Sequence, residues 1–386
     1  MPACAMRHSL IAMAGSSRFR VLIAGAGVAG LEAALALSDL AGERVAVTLL
    51  APNAQFSYRP MTIAEPFAFA AAQHRTVAVV AADAGAELVA ESFAWVDPAA
   101  KVAHTEDGTA LPYDALLLAL GARVRAPFAH AVTIDDRRMD EVLHGIVQDI
   151  EGGYIDSIAF VSPSRLGWPL PIYELALLSA RRAFEMGVTL EVTVVTPEAT
   201  PLSVFGDVAS AEVARLLSEA GISTSMCADV QVPEPGRVVL QPVERVLMVD
   251  RVIAMPELFG PSVRGLPAGE HGFIPVDQHC QVVGVAGVYA AGDATDYAIK
   301  HGGIAAQQAD VAAEAIAALA GADVTPSTFR PEIHGMLLTG AQPRYLTARL
   351  AGGHALHSEI GDQPTWSPPV KIAARYLAPY LDRPAG

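Results

Sequence analysis

Two hydrophobic patterns alternate along most of this chain. Short runs of consecutive apolar residues, such as residues 21–24 and 45–50, are typical of strands that are buried on both faces of a parallel sheet. Longer segments with apolar positions three or four residues apart, such as residues 31–38 and the alanine-rich residues 304–319, are typical of helices that pack on such a sheet. The alternation predicts an α/β fold.

The strand–helix alternation occurs twice. Residues 126–260 repeat it, with predicted strands at 158–161 and 190–195 and predicted helices at 172–186 and 209–220. A second unit of this kind predicts a second Rossmann-like domain in the same chain.

The first predicted strand leads into a glycine-rich turn. Gly25, Gly27 and Gly30 have the spacing G-x-G-x-x-G, and a helical segment follows at once. In a dinucleotide site the first glycine permits a tight turn, the second lets a pyrophosphate approach the backbone, and the third lets the helix pack close to the strand. The helix N-terminus adds free N–H groups and a positive dipole end. The turn therefore predicts a dinucleotide-binding site.

An acidic residue usually binds the ribose about 20 residues after such a turn. Here the second strand ends at Ala51-Pro52-Asn53, so either Asn53 replaces the acid with a neutral hydrogen bond or the ribose is bound elsewhere. The loop that follows, residues 56–61, contains Arg59 among aromatic residues, where an isoalloxazine ring would lie. An ordinary packed turn is the alternative interpretation of this loop.

The corresponding turn of the second unit, residues 162–174, has lost most nucleotide-binding features. Only Gly167 remains, three prolines (Pro163, Pro169, Pro171) remove backbone donors, and Trp168 adds bulk. The next strand ends at Thr196-Pro197, with neither an acid for a ribose 2′-hydroxyl nor an arginine for a 2′-phosphate. We therefore expect weak nicotinamide nucleotide binding, or none.

Composition limits the classes of protein to which the chain can belong. Its 386 residues are enough for two or three domains, and a net charge of −15 predicts a surface that repels nucleic acid. Three cysteines (Cys4, Cys227, Cys280) without a C-x-x-C motif predict no disulfide framework and no metal site, which favours a reducing cytoplasm. We interpret residues 1–18 as an extension and not as a signal peptide, and no apolar run reaches the ~18 residues of a membrane-spanning helix.

The last sixty or so residues contain a predicted hairpin at 335–350 and a short final helix. That helix combines basic and aromatic residues, with a tryptophan before it: Trp366, Lys371, Arg375, Tyr376 and Tyr380. Such a mixture suits peripheral contact with a membrane surface. Docking onto the first domain, or onto a second copy of the chain in a homodimer, is the alternative that we favour.

Three ordered motifs together resemble one family. They are the glycine-rich turn, the segment Tyr113-Asp-x-Leu-x-Leu-Ala-x-Gly-Ala122, and Gly287-x-Tyr-Ala-Ala-Gly-Asp293. Over roughly residues 20–325 the chain resembles the flavoproteins with two dinucleotide-binding domains, the FAD-dependent pyridine nucleotide-disulfide oxidoreductases. Within that group it looks most like sulfide:quinone oxidoreductases and type II NADH dehydrogenases.

The resemblance implies a division of the chain into domains. An FAD domain would be split between residues 19–125 and 268–325, with a degenerate NAD(P)-like Rossmann domain inserted at 126–267 and a C-terminal segment at 326–386. FAD would bind non-covalently, because no histidine or cysteine lies in an attachment motif. NAD(P) is a doubtful second cofactor.

The resemblance also implies which residues bind FAD. In the family, the aspartate that matches Asp293 binds the ribityl chain, and a carboxylate after two small residues can reach a hydroxyl without a clash; a helix N-cap is the alternative role for Asp293. We assign these residues to the FAD site: Gly25, Gly27, Gly30, Asn53, Arg59, Gly121, Gly292, Asp293, Lys300, Gly302, Gly303 and Ile304.

Lys300 and His301 are the candidate catalytic residues. A lysine beside a helix N-terminus would stabilise the negative charge that reduction adds to the flavin ring; a solvated surface lysine is the alternative. His301 is a candidate acid–base group, although a polar loop residue is the more ordinary interpretation. Trp168, Pro169 and Glu174 would lie near the flavin in the second turn, and Glu174 would cap or pair near a helix start.

The function that we predict is that of an FAD-dependent oxidoreductase. It would pass electrons from a small donor to a quinone-like or other acceptor without a redox cysteine pair, since Trp168 occupies the expected cysteine position and no cysteine lies nearby in the sequence. The first alternative is an NAD(P)H dehydrogenase of the quinone or diaphorase type. The second is a non-catalytic flavin-binding sensor or assembly protein.

Overall fold

A computed structural model describes residues 18–67, 73–134, 139–165, 167–351 and 354–383. The side chains of Arg59, Thr62, His354 and residues 139–141 lie outside this description, as do the predicted N-terminal extension and Cys4.

The strands, in chain order, are β1 (Phe19–Ala24), β2 (Val45–Leu50), β3 (Gln55–Ser57), β4 (His74–Thr76), β5 (Glu87–Val89), β6 (Phe93–Asp97), β7 (Val102–Thr105), β8 (Ala110–Pro112), β9 (Ala115–Leu118), β10 (Arg123–Arg125), β11 (Val132–Thr133), β12 (Ser157–Val161), β13 (Glu191–Val195), β14 (Ser223–Ser225), β15 (Asp229–Glu234), β16 (Arg237–Gln241), β17 (Arg245–Met248), β18 (Arg251–Ala254), β19 (Glu257–Phe259), β20 (Val288–Ala290), β21 (Glu332–Leu337), β22 (Arg344–Ala351) and β23 (His354–Gly361).

The α-helices are α1 (Val28–Leu40), α2 (Val77–Asp83), α3 (Met139–Glu151), α4 (Leu170–Met186), α5 (Asp207–Glu219), α6 (Gly302–Leu319) and α7 (Leu377–Leu381). Short 3-10 helices span Gly42–Arg44, Arg59–Ala64, Ser203–Phe205, Glu270–Gly272 and Gly292–Ala294.

The first sheet is parallel, with strand order β20-β9-β1-β2-β5. Its outermost strand β20 comes from far along the chain and pairs with β9, so two distant segments form one sheet. Helices α1 and α6 pack together on one face, because their alanine-rich surfaces allow a close approach. Both helices therefore begin at the same edge of the sheet, beyond the carboxyl ends of β1 and β20.

The second sheet is also parallel, with order β11-β18-β12-β13-β14. Helices α3, α4 and α5 contribute to the core on one face, and the antiparallel sheet β15-β16-β17 covers the other. Because helices cover one face and a sheet covers the other, strands such as β12 are buried on both faces and are almost entirely apolar. The α/β fold with two Rossmann-like units is confirmed.

The C-terminal region differs in part from its prediction. The hairpin at 335–350 is confirmed as β21 and β22, and β23 extends it to three strands. The predicted final helix over 371–380 is wrong in extent, because α7 begins only at Leu377. Lys371 and Arg375 therefore precede the helix. In the described parts of the chain, no helix combines the length and apolar character that crossing a membrane requires.

Candidate functional site

The turn between β1 and α1 is shaped by two close contacts. The amide of Gly25 donates to the carbonyl of Leu50 at 2.8 Å, and the φ angle of Gly25 is +108°, which side chains disfavour. A Cβ atom at Gly30 would lie only 1.8 Å from the carbonyl oxygen of Gly25. Gly25 and Gly30 are thus required by the fold itself.

Gly27 differs from its two neighbours. It precedes the first residue of α1, no described side chain caps the helix there, and no described atom lies within 4 Å of the place where its Cβ would be. An uncapped helix N-terminus with open space at its second glycine fits a pyrophosphate, which needs backbone N–H groups and close approach. The residues at this turn therefore fit the phosphates of a dinucleotide such as FAD.

The other proposed FAD residues line the same edge of the first sheet. Gly121 follows β9 with a φ angle of +68° and, within the described structure, free space at its Cβ position. Asn53 is exposed just beyond β2. Arg59 begins a 3-10 helix, and its side chain lies outside the description.

Gly292 and Asp293 follow β20 directly. Gly292 packs between α1 and α6, where an added Cβ would lie 3.1 Å from Ala305 and 3.4 Å from Ala29. Asp293 is partly buried and lies inside the 3-10 helix Gly292–Ala294. The N-cap of this helix is Ala291 and not Asp293. The N-cap alternative for Asp293 is therefore wrong.

Gln308 supports this turn and was missed from the sequence. It is 1% exposed, and its Oε1 accepts a hydrogen bond from the amide of Gly292 at 2.8 Å. Its Nε2 is buried without a hydrogen-bond partner among the described residues. Polar residues inside an otherwise apolar alanine-rich helix were the only sequence signal for this role.

Lys300 is buried, so the surface-lysine alternative is wrong. Its Nζ donates to the carbonyl of Thr295 at 2.5 Å and lies 3.9 Å from the ring centroid of Phe273. Burial lowers the pKa of Lys300 to about 8, although Asp293 and Asp296 oppose the shift by favouring the charged form. The side chain is thus a partly desolvated ammonium group close to the Gly292–Ala294 turn.

His301 caps α6. Its Nδ1 accepts a hydrogen bond from the amide of Gly303 at 3.2 Å, and its ring packs on Trp168 with centroids 4.4 Å apart. Burial, reinforced by His334 and Lys371, lowers the pKa of His301 to about 3. The imidazole is therefore neutral, and because Nδ1 accepts, its proton is on Nε2.

The second turn contacts the loop that carries Lys300 and His301. The carbonyl of Gly167 accepts a hydrogen bond from the amide of Lys300 at 3.0 Å. A Cβ at Gly167 would lie 2.8 Å from Cγ of Lys300, and Pro169 is the residue before α4. The fold thus brings Gly167 next to Lys300 and Trp168 next to His301.

Glu174 and Lys371 form a buried ion pair. The Nζ of Lys371 lies 2.5 Å from Oε1 of Glu174, which also accepts a bond from the amide of Leu338 at 2.9 Å. The Glu174 side chain is 1% exposed and the Lys371 side chain is 5% exposed. Burial raises the pKa of Glu174 and lowers that of Lys371, while each charge opposes the shift of the other. Glu174 pairs as expected, although inside α4 and not as its cap, and Lys371 was not among the predicted site residues.

Glu198 is the first acid after the strand end of the second unit, and it is engaged within the fold. It follows Thr196-Pro197 closely, but its carboxylate accepts a hydrogen bond from the hydroxyl of Tyr173 at 2.6 Å and another from the amide of Ser203 at 3.2 Å. Burial raises the pKa of Glu198 despite these donors. An acid turned inward in this way is unavailable to a ribose.

The two described cysteines have different surroundings. Cys280 is buried beside β20, and burial raises the pKa of its thiol to about 12. Cys227 is exposed, and its amide donates to the carbonyl of Glu198. Within the described ranges, no group of three or more metal-binding side chains is present.

A sequence profile of the pyridine nucleotide-disulphide oxidoreductase family matches residues 19–153 and 173–313. The chain belongs to this family. Membership makes it an FAD-dependent oxidoreductase, and it relates the second Rossmann-like unit to an NAD(P)-binding domain. A comparison with curated proteins finds no match.

Solved structures with this fold include several oxidoreductases. A sulfide:quinone oxidoreductase from Aquifex aeolicus is 18% identical, with a TM-score of 0.77 over 90% of this chain and 87% of that one. A ferredoxin reductase from Rhodopseudomonas palustris is 21% identical, with a TM-score of 0.66 over 86% and 83% of the two chains. An NAD-dependent persulfide reductase from A. fulgidus is 17% identical, with a TM-score of 0.64 over 86% of this chain and 64% of that one.

Proposed function

We propose that this protein passes electrons from a small donor through FAD to a quinone-like acceptor, without a cysteine relay. The observation that carries the proposal is the buried Glu174–Lys371 pair beside the N-terminus of α6. Ile372, the neighbour of Lys371, packs directly on Gly302, and Lys371 acts electrostatically on His301. A polar cluster with titratable groups thus occupies the region where the second turn lacks a thiol.

Reduction of a quinone requires two electrons and two protons. FAD, when bound, supplies the ring that takes up electrons from the donor and gives them to the acceptor. Within the ion pair the transferable proton is on Nζ of Lys371, which can donate it while the Glu174 carboxylate holds the ammonium group in place; the second proton comes from solvent. The Nε2–H of His301 offers a fixed hydrogen-bond donor for an acceptor oxygen.

Nicotinamide nucleotides are disfavoured as the donor. The turn at residues 162–169 presents few backbone donors, its single Gly167 contacts the Lys300 side chain, and Glu198 binds Tyr173 in place of a ribose. These features support a small donor that does not require a dinucleotide site.

The C-terminal residues that suggested a membrane surface are engaged within the chain. Tyr376 and Tyr380 donate from their hydroxyls to Asp39 at 3.1 Å and Asp83 at 2.6 Å, and Lys371 is buried. These contacts support docking onto the first sheet and its helices over peripheral membrane contact. A homodimer and a cytoplasmic location belong to the proposal on the strength of the sequence alone.

The test compares two acceptors with the FAD-loaded protein, reduced anaerobically. Ubiquinone-1 needs protons and ferricyanide does not. We expect Glu174→Gln to slow reoxidation by ubiquinone-1 at least tenfold relative to ferricyanide, with flavin content measured as the control. Reoxidation by ubiquinone-1 no faster than that of free reduced FAD would contradict the proposal. A donor panel in the stopped-flow instrument, with sulfide, NADH and NADPH, then identifies the donor class.

A further inference from the structure

We propose that Glu32 and Asp310 are positioning residues: this carboxyl pair holds residues 370–381, the C-terminal strap, and the strap places Lys371 beside Glu174. The role of Lys371 in the reaction rests on the proposed function above. The mechanical part of the inference stands on the hydrogen bonds that Glu32 accepts from the strap amides.

The C-terminal strap crosses the helices of the first unit and ends near α2. Its Ile372 amide donates to the hydroxyl of Tyr58 at 2.6 Å, and the Ile372 side chain fills the space beside Gly302. Lys371, one residue earlier, reaches Glu174 in α4 of the second unit. Fixing the strap therefore fixes the position of the Lys371 ammonium group.

Glu32 is the central attachment point of the strap. It is 0% exposed, and its two carboxylate oxygens accept hydrogen bonds from the amides of Tyr376 at 2.9 Å and Leu377 at 2.5 Å. Leu377 begins α7, so the carboxylate satisfies amides that the first turn of this helix leaves without partners. Burial raises the pKa of Glu32, and the amide donors of the strap oppose that shift by favouring the carboxylate.

Asp310 on α6 contacts Glu32 and carries the proton of the pair. Its carboxyl is hydrogen-bonded to Glu32, and its Oδ1 is buried with no partner in the described part of the chain. A charged Asp310 would place two negative charges side by side and leave Oδ1 unsolvated. Burial and the Glu32 charge raise the pKa of Asp310 to about 9.

Among the described residues, the other titratable groups that act on the pair are Arg375, Glu314 and Tyr376. Arg375 of the strap favours ionisation of Asp310, and Glu314 on α6 opposes it. Nη1 of Arg375 lies 3.7 Å from Oε1 of Glu314, so the Arg375 charge is partly offset by this second acid. While the strap is attached, Asp310 on α6 therefore keeps its proton at neutral pH.

The pH dependence follows from the raised pKa of Asp310. The attached form holds one proton more than the released form at any pH between the ordinary aspartate value, 3.8, and about 9. Attachment must therefore weaken as the pH rises through this window, and the contribution of the shared proton is lost above it.

Two amide substitutions, one at each member of the carboxyl pair, should have opposite effects on the strap. Asp310→Asn keeps a neutral donor towards Glu32 and should leave the strap attached. Glu32→Gln removes the charge that accepts the strap amides and should release it. Asp39→Asn, which weakens only the exposed contact with Tyr376, is the matched control.

Two readouts follow the strap without using enzyme turnover, on the FAD-loaded protein. Trypsin cleavage after Arg375 reports release of the strap. Acetylation of Lys371 by an N-hydroxysuccinimide ester reports its exposure, and exposed Lys101 in the same digest is the internal reference, because the chain has only three lysines: Lys101, Lys300 and Lys371. Rates are corrected for the intrinsic pH dependence of trypsin with a peptide substrate.

At about pH 7 we expect Glu32→Gln to raise both rates at least tenfold, and Asp310→Asn and Asp39→Asn to change them less than twofold. Between about pH 7 and pH 9.5 both rates should rise in the wild type and stay level in Asp310→Asn. Equal rates for Glu32→Gln and wild type, or the same pH dependence in wild type and Asp310→Asn, would overturn the inference. Neither outcome depends on the identity of the electron acceptor, so failure here is separate from failure of the proposed function.

Discussion

Lys300 and His301 are neighbours in sequence and both are buried, but they differ in charge. Burial lowers the pKa of Lys300 to about 8 while two nearby acids oppose the shift, so the lysine is mostly protonated at neutral pH. His301 instead accepts a backbone N–H and lies near Lys371, and its pKa falls to about 3. The charge at the start of α6 therefore belongs to the lysine.

Replacing that charge should alter the flavin potential. Lys300→Met keeps the side-chain length, and we expect the midpoint potential at about pH 7 to fall by on the order of 30 mV, equivalent to about 1.4 kcal/mol for two electrons. Above about pH 8 the difference should shrink, because the wild-type lysine loses its own proton. Spectroelectrochemistry measures both quantities, with exposed Lys101→Met as the control. Equal potentials, with FAD fully bound, would place Lys300 outside the flavin environment.

The cysteines should take no part in sulfide chemistry. The Cys280 thiol stays protonated because its pKa is about 12, and Trp168 occupies the position in the second turn where the resemblance places a redox cysteine. Incubation with sulfide should therefore leave no cyanide-releasable sulfur on the protein. Bleaching of the flavin by sulfide that disappears in Cys227→Ser or Cys280→Ser would show that a thiol does act.

At the scale of the element, the turn between β1 and α1 separates two kinds of glycine. Gly30 contacts the backbone of Gly25, whereas the space beside Gly27 is open towards the solvent side. A substitution at Gly30 must disturb the fold, whereas a substitution at Gly27 must disturb only what binds there.

This distinction gives a paired prediction. Gly27→Val should fold with the melting temperature of the FAD-free wild type but purify without absorbance near ~450 nm, since the side chain occupies the pyrophosphate position. Gly30→Ala should lose about 1–3 kcal/mol of unfolding free energy, because its Cβ overlaps the Gly25 carbonyl. Flavin content and thermal unfolding separate the two effects. A flavin-replete Gly27→Val protein would remove the pyrophosphate from this turn.

The second turn illustrates how one element can keep its fold and lose its ligand groups. Helix α4 begins after Pro169 and still packs on β12, while Gly167 and Trp168 contact the loop at Lys300 and His301. We expect micromolar NADH or NADPH to reduce the flavin no faster than it reduces free FAD, by stopped-flow absorbance. Rapid reduction by either nucleotide would restore the NAD(P)H dehydrogenase alternative.

At the scale of the whole molecule, the Glu174–Lys371 pair joins the second unit to the C-terminal strap. Removing one partner leaves a buried, unpaired charge, so Glu174→Gln and Lys371→Met should each lower the unfolding free energy by ~3 kcal/mol. The double variant should lose less than the sum of the two, because neither charge remains. Urea unfolding of all four proteins measures the coupling, and strict additivity would mean that the pair makes no direct interaction.

Much of the fold was predictable because its signals are local. The glycine spacing around Gly27, the apolar strand β1 and the alanine-rich helix α6 each depend on residues close together in the chain. The same holds for the degenerate second turn around Gly167. The start of the final helix was mispredicted, because basic and aromatic residues near 371–376 have their partners elsewhere in the fold.

The sequence by itself determined the two Rossmann-like units, the dinucleotide turn and the family, since turn chemistry and hydrophobic period are short-range properties. Only the tertiary structure decided which charges are buried together. Lys371 meets Glu174 across 197 residues, and the amide of Tyr376 meets Glu32 across 344. The free energy of such contacts depends on desolvation and on partners that packing alone brings within hydrogen-bonding distance, and no local pattern records that.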